Sequence, residues 1–137
     1  MFLMDNIKRG TTRIVFIFGN YVIKLPRIYK WKCFLRGILA NLDENLWYRH
    51  SPNEWKTKMC PVIGIYLKGL LLIAKRATPI SEQDFNNIKP SDFYPIPMDY
   101  KQTNFGWYNN QIVLIDYADS KYFCSDCENI LKRLSNV

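Results

Sequence analysis

No apolar run in this chain reaches the length of a membrane span. The longest candidate, Val62 to Ala74, is interrupted by Lys68, so an integral membrane protein is not expected. The opening residues Met1-Phe2-Leu3-Met4-Asp5 lack the basic start and long apolar stretch of a secretion signal, and a cytoplasmic location is the expectation. Internal repeats and low-complexity linkers are missing, which removes solenoids and repeat arrays. Histidine is nearly absent, His50 being the sole one. Acidic residues are scarce at the start. Up to Arg36, Asp5 alone opposes Lys8, Arg9, Arg13, Lys24, Arg27, Lys30, Lys32 and Arg36, so this quarter carries an excess equal to the +7 of the whole chain. Such a concentration attracts phosphate on a nucleotide, a nucleic acid or an acidic partner; a solvated basic face is the other reading.

With 48% hydrophobic and 23% charged residues, the chain has the composition of a folded globular protein rather than a disordered one. Its 137 residues suit a single domain, 1–137, with room for a sizeable core. The four cysteines, Cys33, Cys60, Cys124 and Cys127, read as reduced thiols where no secretion signal is seen. Cys124-Ser125-Asp126-Cys127 is a lone C-x-x-C. It is either the start of a helix or half of a zinc site that needs two further ligands.

β-Branched and aromatic residues on both sides of Gly19-Asn20 predict a hairpin from Arg13 to Pro26. From Trp31 to His50, Trp31, Phe34, Leu35, Ile38, Leu39, Leu42 and Leu46 recur at helical spacing. They predict one amphipathic helix whose polar stripe holds Lys32, Arg36 and Asp43. Glu44 lies off that stripe, near Gly37, Ala40 and Tyr48, and is either exposed or turned inward. A second hairpin follows, Pro61 to Tyr66 and Leu70 to Ala74, around Lys68-Gly69. Ser81 is placed to cap a short helix to Ile88, and Pro90, Pro95 and Pro97 break what comes next. Asn109-Asn110 marks a third turn, before the run Ile112-Val113-Leu114-Ile115. Ser125 with Glu128 forms a capping box for a last helix with Ile130, Leu131 and Leu134 on its apolar face.

Around the third hairpin, Asp99-Tyr100-Lys101-Gln102-Thr103-Asn104 has the D-x-x-x-x-N spacing, and Asp116-Tyr117-Ala118 ends the buried strand. This set resembles the catalytic loop and D-F-G of the protein-kinase-like superfamily in shortened form. Tyr21-Val22-Ile23-Lys24 resembles the V-A-I-K strand. Against G-x-G-x-x-G-x-V, Gly10 and Val15 match, while Lys8 and Arg13 take the outer glycine positions. Lys75 to Ile80 resembles the hinge that holds an adenine ring. Asn41-x-x-Glu44 followed by Cys60-Pro61-Val62 resembles short kinase-like proteins of the phage type.

The resemblance implies an α+β, minimal kinase-like fold: a small antiparallel sheet with one packed helix over about 1–77, and a reduced C-terminal lobe over 78–137. With the last helix placed from Ser125, no residues are expected for an activation segment or for substrate-docking helices. The roles it implies are Lys24, held by Glu44, on nucleotide phosphates under the Gly10 loop; Asn104 and Asp116 on Mg²⁺; Asp99 as acceptor base; and Lys101 neutralising the transferred phosphoryl group. The implied function is ATP binding with Mg²⁺-dependent phosphotransfer. The alternative is a non-catalytic kinase-like module that binds a host protein in the host cytoplasm. A carboxylate pair buried without a cation is costly, which argues for metal; the missing docking helices argue for the binding module. A third reading, from composition, is nucleic-acid binding through the basic quarter and aromatics such as Trp55 and Trp107.

Overall fold

In the computed structural model the chain is described at residues 7–10, 12–93 and 100–117. The elements in order are β1 (Ile7–Arg9), β2 (Arg13–Phe18), β3 (Tyr21–Pro26), α1 (Trp31–His50), α2 (Asn53–Lys56), β4 (Val62–Tyr66), β5 (Leu71–Lys75), β6 (Thr78–Pro79), α3 (Glu82–Asn86), β7 (Phe105–Tyr108) and β8 (Gln111–Leu114). Strands β1-β2-β3-β5-β4 form a five-stranded antiparallel sheet, and β6-β7-β8 form a second, three-stranded one. The class is α+β. None of the described helices is long and apolar enough to cross a membrane.

The hairpins form where alternation and turn chemistry agree. β2 and β3 pair from Phe18↔Tyr21 to Arg13↔Pro26 around Gly19-Asn20. β7 and β8 close on Asn109 and Asn110, both left-handed at φ 49° and 62°, a conformation that asparagine tolerates and that matches strand twist. Ser81 caps α3, its hydroxyl accepting from the Asp84 N–H at 3.1 Å.

The long helix has the expected bounds but buries a different face. Gly37, Asn41, Asp43 and Glu44 are its buried residues, whereas Trp31 and Leu46 stay exposed. Asp43, expected on the solvated stripe, is inside. The cause is close approach. A Cβ on Gly37 would lie 2.5 Å from both Pro26 Cβ and the Thr12 carbonyl oxygen, so only glycine lets α1 settle onto β2 and β3 here. Gly37, Asn41 and Glu44 are spaced by four and three residues, so whatever Gly37 touches, Glu44 shares its side of the helix. Gly69 does the same from the other partner. It sits at φ 99° in the β4–β5 connection, where a Cβ would meet Ile38 at 2.8 Å.

A single apolar cluster runs through both sheets: Met59, Val62, Leu72 and Ala74 from the larger sheet side join Ile80, Phe93, Phe105, Leu114 and Tyr117. The segment before β4 stitches the two sheets together. The Leu114 N–H donates to the Lys58 carbonyl at 2.8 Å, and the Cys60 N–H donates to the Leu114 carbonyl at 2.9 Å. The end of β8 is thereby carried to the inner face of the first sheet. Trp55 packs against this cluster, and Trp107 is 37% exposed with its indole N–H 3.3 Å from Asp84 Oδ2.

Candidate functional site

Strand periodicity sets the first wall of the site. Side chains alternate along a strand, and the register places Val15 opposite Lys24 and Arg13 opposite Pro26. Arg13, Val15 and Ile17 therefore share a face with Val22 and Lys24, and all five line one cleft of 840 Å³. That volume is in the range of small-ligand clefts. Gly10, Lys75, Arg76 and Ala77 also line it, and Lys101, Asn104 and Asp116 come from the segments on either side of the β7–β8 hairpin.

At the base of the cleft, four charged side chains meet. Lys24 Nζ donates to Glu44 Oε1 at 2.7 Å and to the Ile115 carbonyl at 3.1 Å. The other Glu44 oxygen accepts from Arg13 Nη1 at 2.9 Å, and Arg13 Nη2 reaches Asp116 Oδ1, also at 2.9 Å. Glu44 is 1% exposed, Lys24 6% and Arg13 7%, so three of the four are shut off from water while Asp116 is half exposed, and the two cations balance the two carboxylates. Asn41 holds the framework in place. Its amide nitrogen donates to the carbonyls of Lys24 (3.2 Å) and Gly69 (2.8 Å), and its oxygen accepts from Arg13 at 3.1 Å.

Asp116 is positioned from behind. Tyr117, 1% exposed, donates its hydroxyl to the Cys60 carbonyl at 2.9 Å, and burial pushes its ionisation well above the usual tyrosine value. The Ile115 N–H donates to the Asn104 carbonyl at 2.9 Å, fixing the strand end beside the turn Gln102–Asn104.

Of the residues singled out from the sequence, Lys24 and Glu44 are in direct contact, Asp116 joins them through Arg13, and Gly10, Lys101 and Asn104 line the same cleft. Asp99, Cys124, Cys127 and the helix expected from Ser125 lie outside the described residues. Sequence reasoning noticed Arg13 only as a cation in a glycine position. Its parity with Val15, across the hairpin from Lys24, was the available signal that it faces the carboxylates. Tyr117 entered only as the middle residue of the triplet resembling D-F-G, and no local pattern gave its partner, the Cys60 carbonyl.

The Mg²⁺ that the resemblance implies for Asn104 and Asp116 does not fit this arrangement. The Asp116 carboxylate already pairs with a guanidinium. A divalent ion about 5 Å from that guanidinium would meet repulsion on the order of 6 kcal/mol at an effective dielectric near 20, reduced by solvent because Asp116 is half exposed. Among the described residues no group of three His, Cys, Asp or Glu is placed to hold a metal ion. Both carboxylates already have a counter-cation in Arg13, and Glu44 has Lys24 as well.

Cys60, another cleft residue, is 4% exposed and gives its thiol proton to the Lys75 carbonyl at 3.1 Å. Burial pushes its pKa from 9.0 up to about 12, with Lys24 opposing the shift and Glu44 adding to it. Alkylation of the folded protein by iodoacetamide at neutral pH is expected to spare Cys60 while labelling the less buried Cys33, as read by peptide mass spectrometry. The linkage has a definite sign. The unfolded thiol ionises first, so the stability this group contributes is intact below pH 9.0 and is lost as pH rises toward about 12.

Compared with family models, with curated proteins and with solved structures, the chain matches none.

Proposed function

We propose that this chain is a reduced kinase-like module that binds a nucleoside triphosphate in the cleft between its two sheets. The observation that carries the reading is the Lys24–Glu44 pair at 2.7 Å, made by a strand and a helix 20 residues apart and set in the wall of a cleft. Burying such a pair costs several kcal/mol of desolvation, and apolar side chains of the same size would be about as stable. Charges kept at that cost beside an open cleft support a ligand site rather than a stabilising device. In this reading Lys24 and the Gly10 segment face the phosphates, and Ala77 lies where the base would rest.

The test is calorimetric titration of ATP into the wild-type protein and into Lys24→Ala, in which Glu44 keeps Arg13 as a partner. Affinity is expected to fall by about tenfold or more in the variant, the scale of a lost charge-assisted contact. Equal affinity in the two proteins, or no heat from either, would remove the reading.

Two forms of the module are chemically distinct. In the catalytic one, Asp99 accepts the proton of an acceptor hydroxyl and Lys101 neutralises the phosphoryl group in flight. In the other, the cleft binds without transfer and the module acts on a protein partner, such as a host protein. The 2.9 Å pair between Arg13 and Asp116 favours binding without transfer. Incubation with γ-labelled ATP separates the two: label appearing on the chain or on an added acceptor would establish the catalytic form.

A further inference from the structure

We infer that this cleft takes its polyphosphate ligand without a divalent metal, Arg13 standing where the metal charge would be needed. The inference rests on the nucleotide reading above and specifies its chemistry: free nucleoside triphosphate, not its Mg²⁺ complex.

Two observations carry it. First, Arg13 is built into the cluster rather than laid over it. It is 7% exposed, and its guanidinium contacts Glu44, Asn41 and Asp116 at 2.9, 3.1 and 2.9 Å. A buried guanidinium that bonds two side chains of α1 and one carboxylate just past β8 is a fixed cation, and it pairs with Asp116. Second, the charges around the cleft already suit an uncomplexed polyanion. Beyond the neutral cluster of Arg13, Lys24, Glu44 and Asp116, the lining includes Lys8, Arg36, Lys75, Arg76 and Lys101, and no further acid among the described residues. Seven cations face two carboxylates. Free triphosphate carries more negative charge than its Mg²⁺ complex, so a wall of this sign attracts the free form more strongly.

Asp116 then has the opposite part from a metal ligand. In a metal-dependent site, removing it destroys binding. Among the described residues it is the one half-exposed negative charge at the cleft, and removing it lowers repulsion toward phosphate and releases one edge of Arg13. The experiment is calorimetric titration of ATP into the wild-type protein and into Asp116→Asn, each in excess EDTA and again in excess MgCl₂. Expected are wild-type binding in EDTA at least as tight as in MgCl₂, and tighter binding in EDTA by Asp116→Asn, by about threefold to tenfold, a typical size for one partly screened charge. Wild-type binding that requires Mg²⁺ and is lost in Asp116→Asn would overturn the inference and leave the nucleotide reading standing. No binding by either protein in either buffer would remove both.

Discussion

Glu44→Ala is expected to lower the melting temperature by about 10–15 °C, from a loss of about 3–5 kcal/mol, the usual cost of breaking a buried ion pair from one side. Glu44 is 1% exposed and each of its oxygens serves a different cation, Lys24 at 2.7 Å and Arg13 at 2.9 Å. Truncation leaves both cations in place, nearly sealed from water, with Asp116 as the remaining carboxylate of the cluster. Their mutual repulsion then works against the closure of α1 onto β3. The complementary change should be milder. Lys24→Met removes one cation but leaves Glu44 paired with Arg13, so its melting temperature should lie between those of wild type and Glu44→Ala. Thermal melts followed by circular dichroism check both the size and the order. A Glu44→Ala protein melting within a degree or two of wild type would mean that the cluster is hydrated and not sealed.

Phe105→Ala is expected to cost about 3–5 kcal/mol, the range for deleting a buried aromatic side chain. Phe105 is 1% exposed at the start of β7, and its ring centre lies 4.8 Å from that of Phe93, 5.4 Å from Tyr100 and 6.0 Å from Phe85. These rings connect α3 and the residues around it to the second sheet. The apolar cluster containing Phe105 also reaches Leu72 and Ala74 of β5, so the loss should be felt by the entire chain. Denaturant unfolding checks this. The midpoint should fall while the slope stays that of wild type, because a shared core unfolds as one unit. Two separated transitions would show instead that the sheets fold independently. Binding in the cleft should weaken as well, since Asn104 directly precedes Phe105 and its carbonyl holds the Ile115 N–H.

Local chemistry made much of the framework legible. The hairpins at Gly19-Asn20, Lys68-Gly69 and Asn109-Asn110 could be read because alternation and turn residues occur within a few positions of each other. The helix bounds Trp31 and His50 followed from apolar spacing, and the Ser81 cap from one side chain and one N–H. Strand β6 was not legible. Only Thr78 and Pro79 form it, and its partner β7 lies more than 25 residues further on, at Gly106 and Trp107. Residues 75–80 read by themselves simply leave a strand.

The sequence by itself determined the α+β class, the long helix, the order of the hairpins, and the presence of Lys24, Glu44 and Asp116 in that order along the chain. These properties depend on periodicity, on turn residues and on composition, which act over a few residues. Only the tertiary structure decided which face of α1 is buried and where Arg13 points. Apolar spacing favoured the Leu35–Leu42 side. The close approach at Gly37 and the bonds from Asn41 turned the Glu44 side inward instead. Arg13 meets Glu44 and Asp116 across separations of 31 and 103 residues. A pairing at that distance depends on where two sheets and a helix come to rest, and no local pattern encodes it.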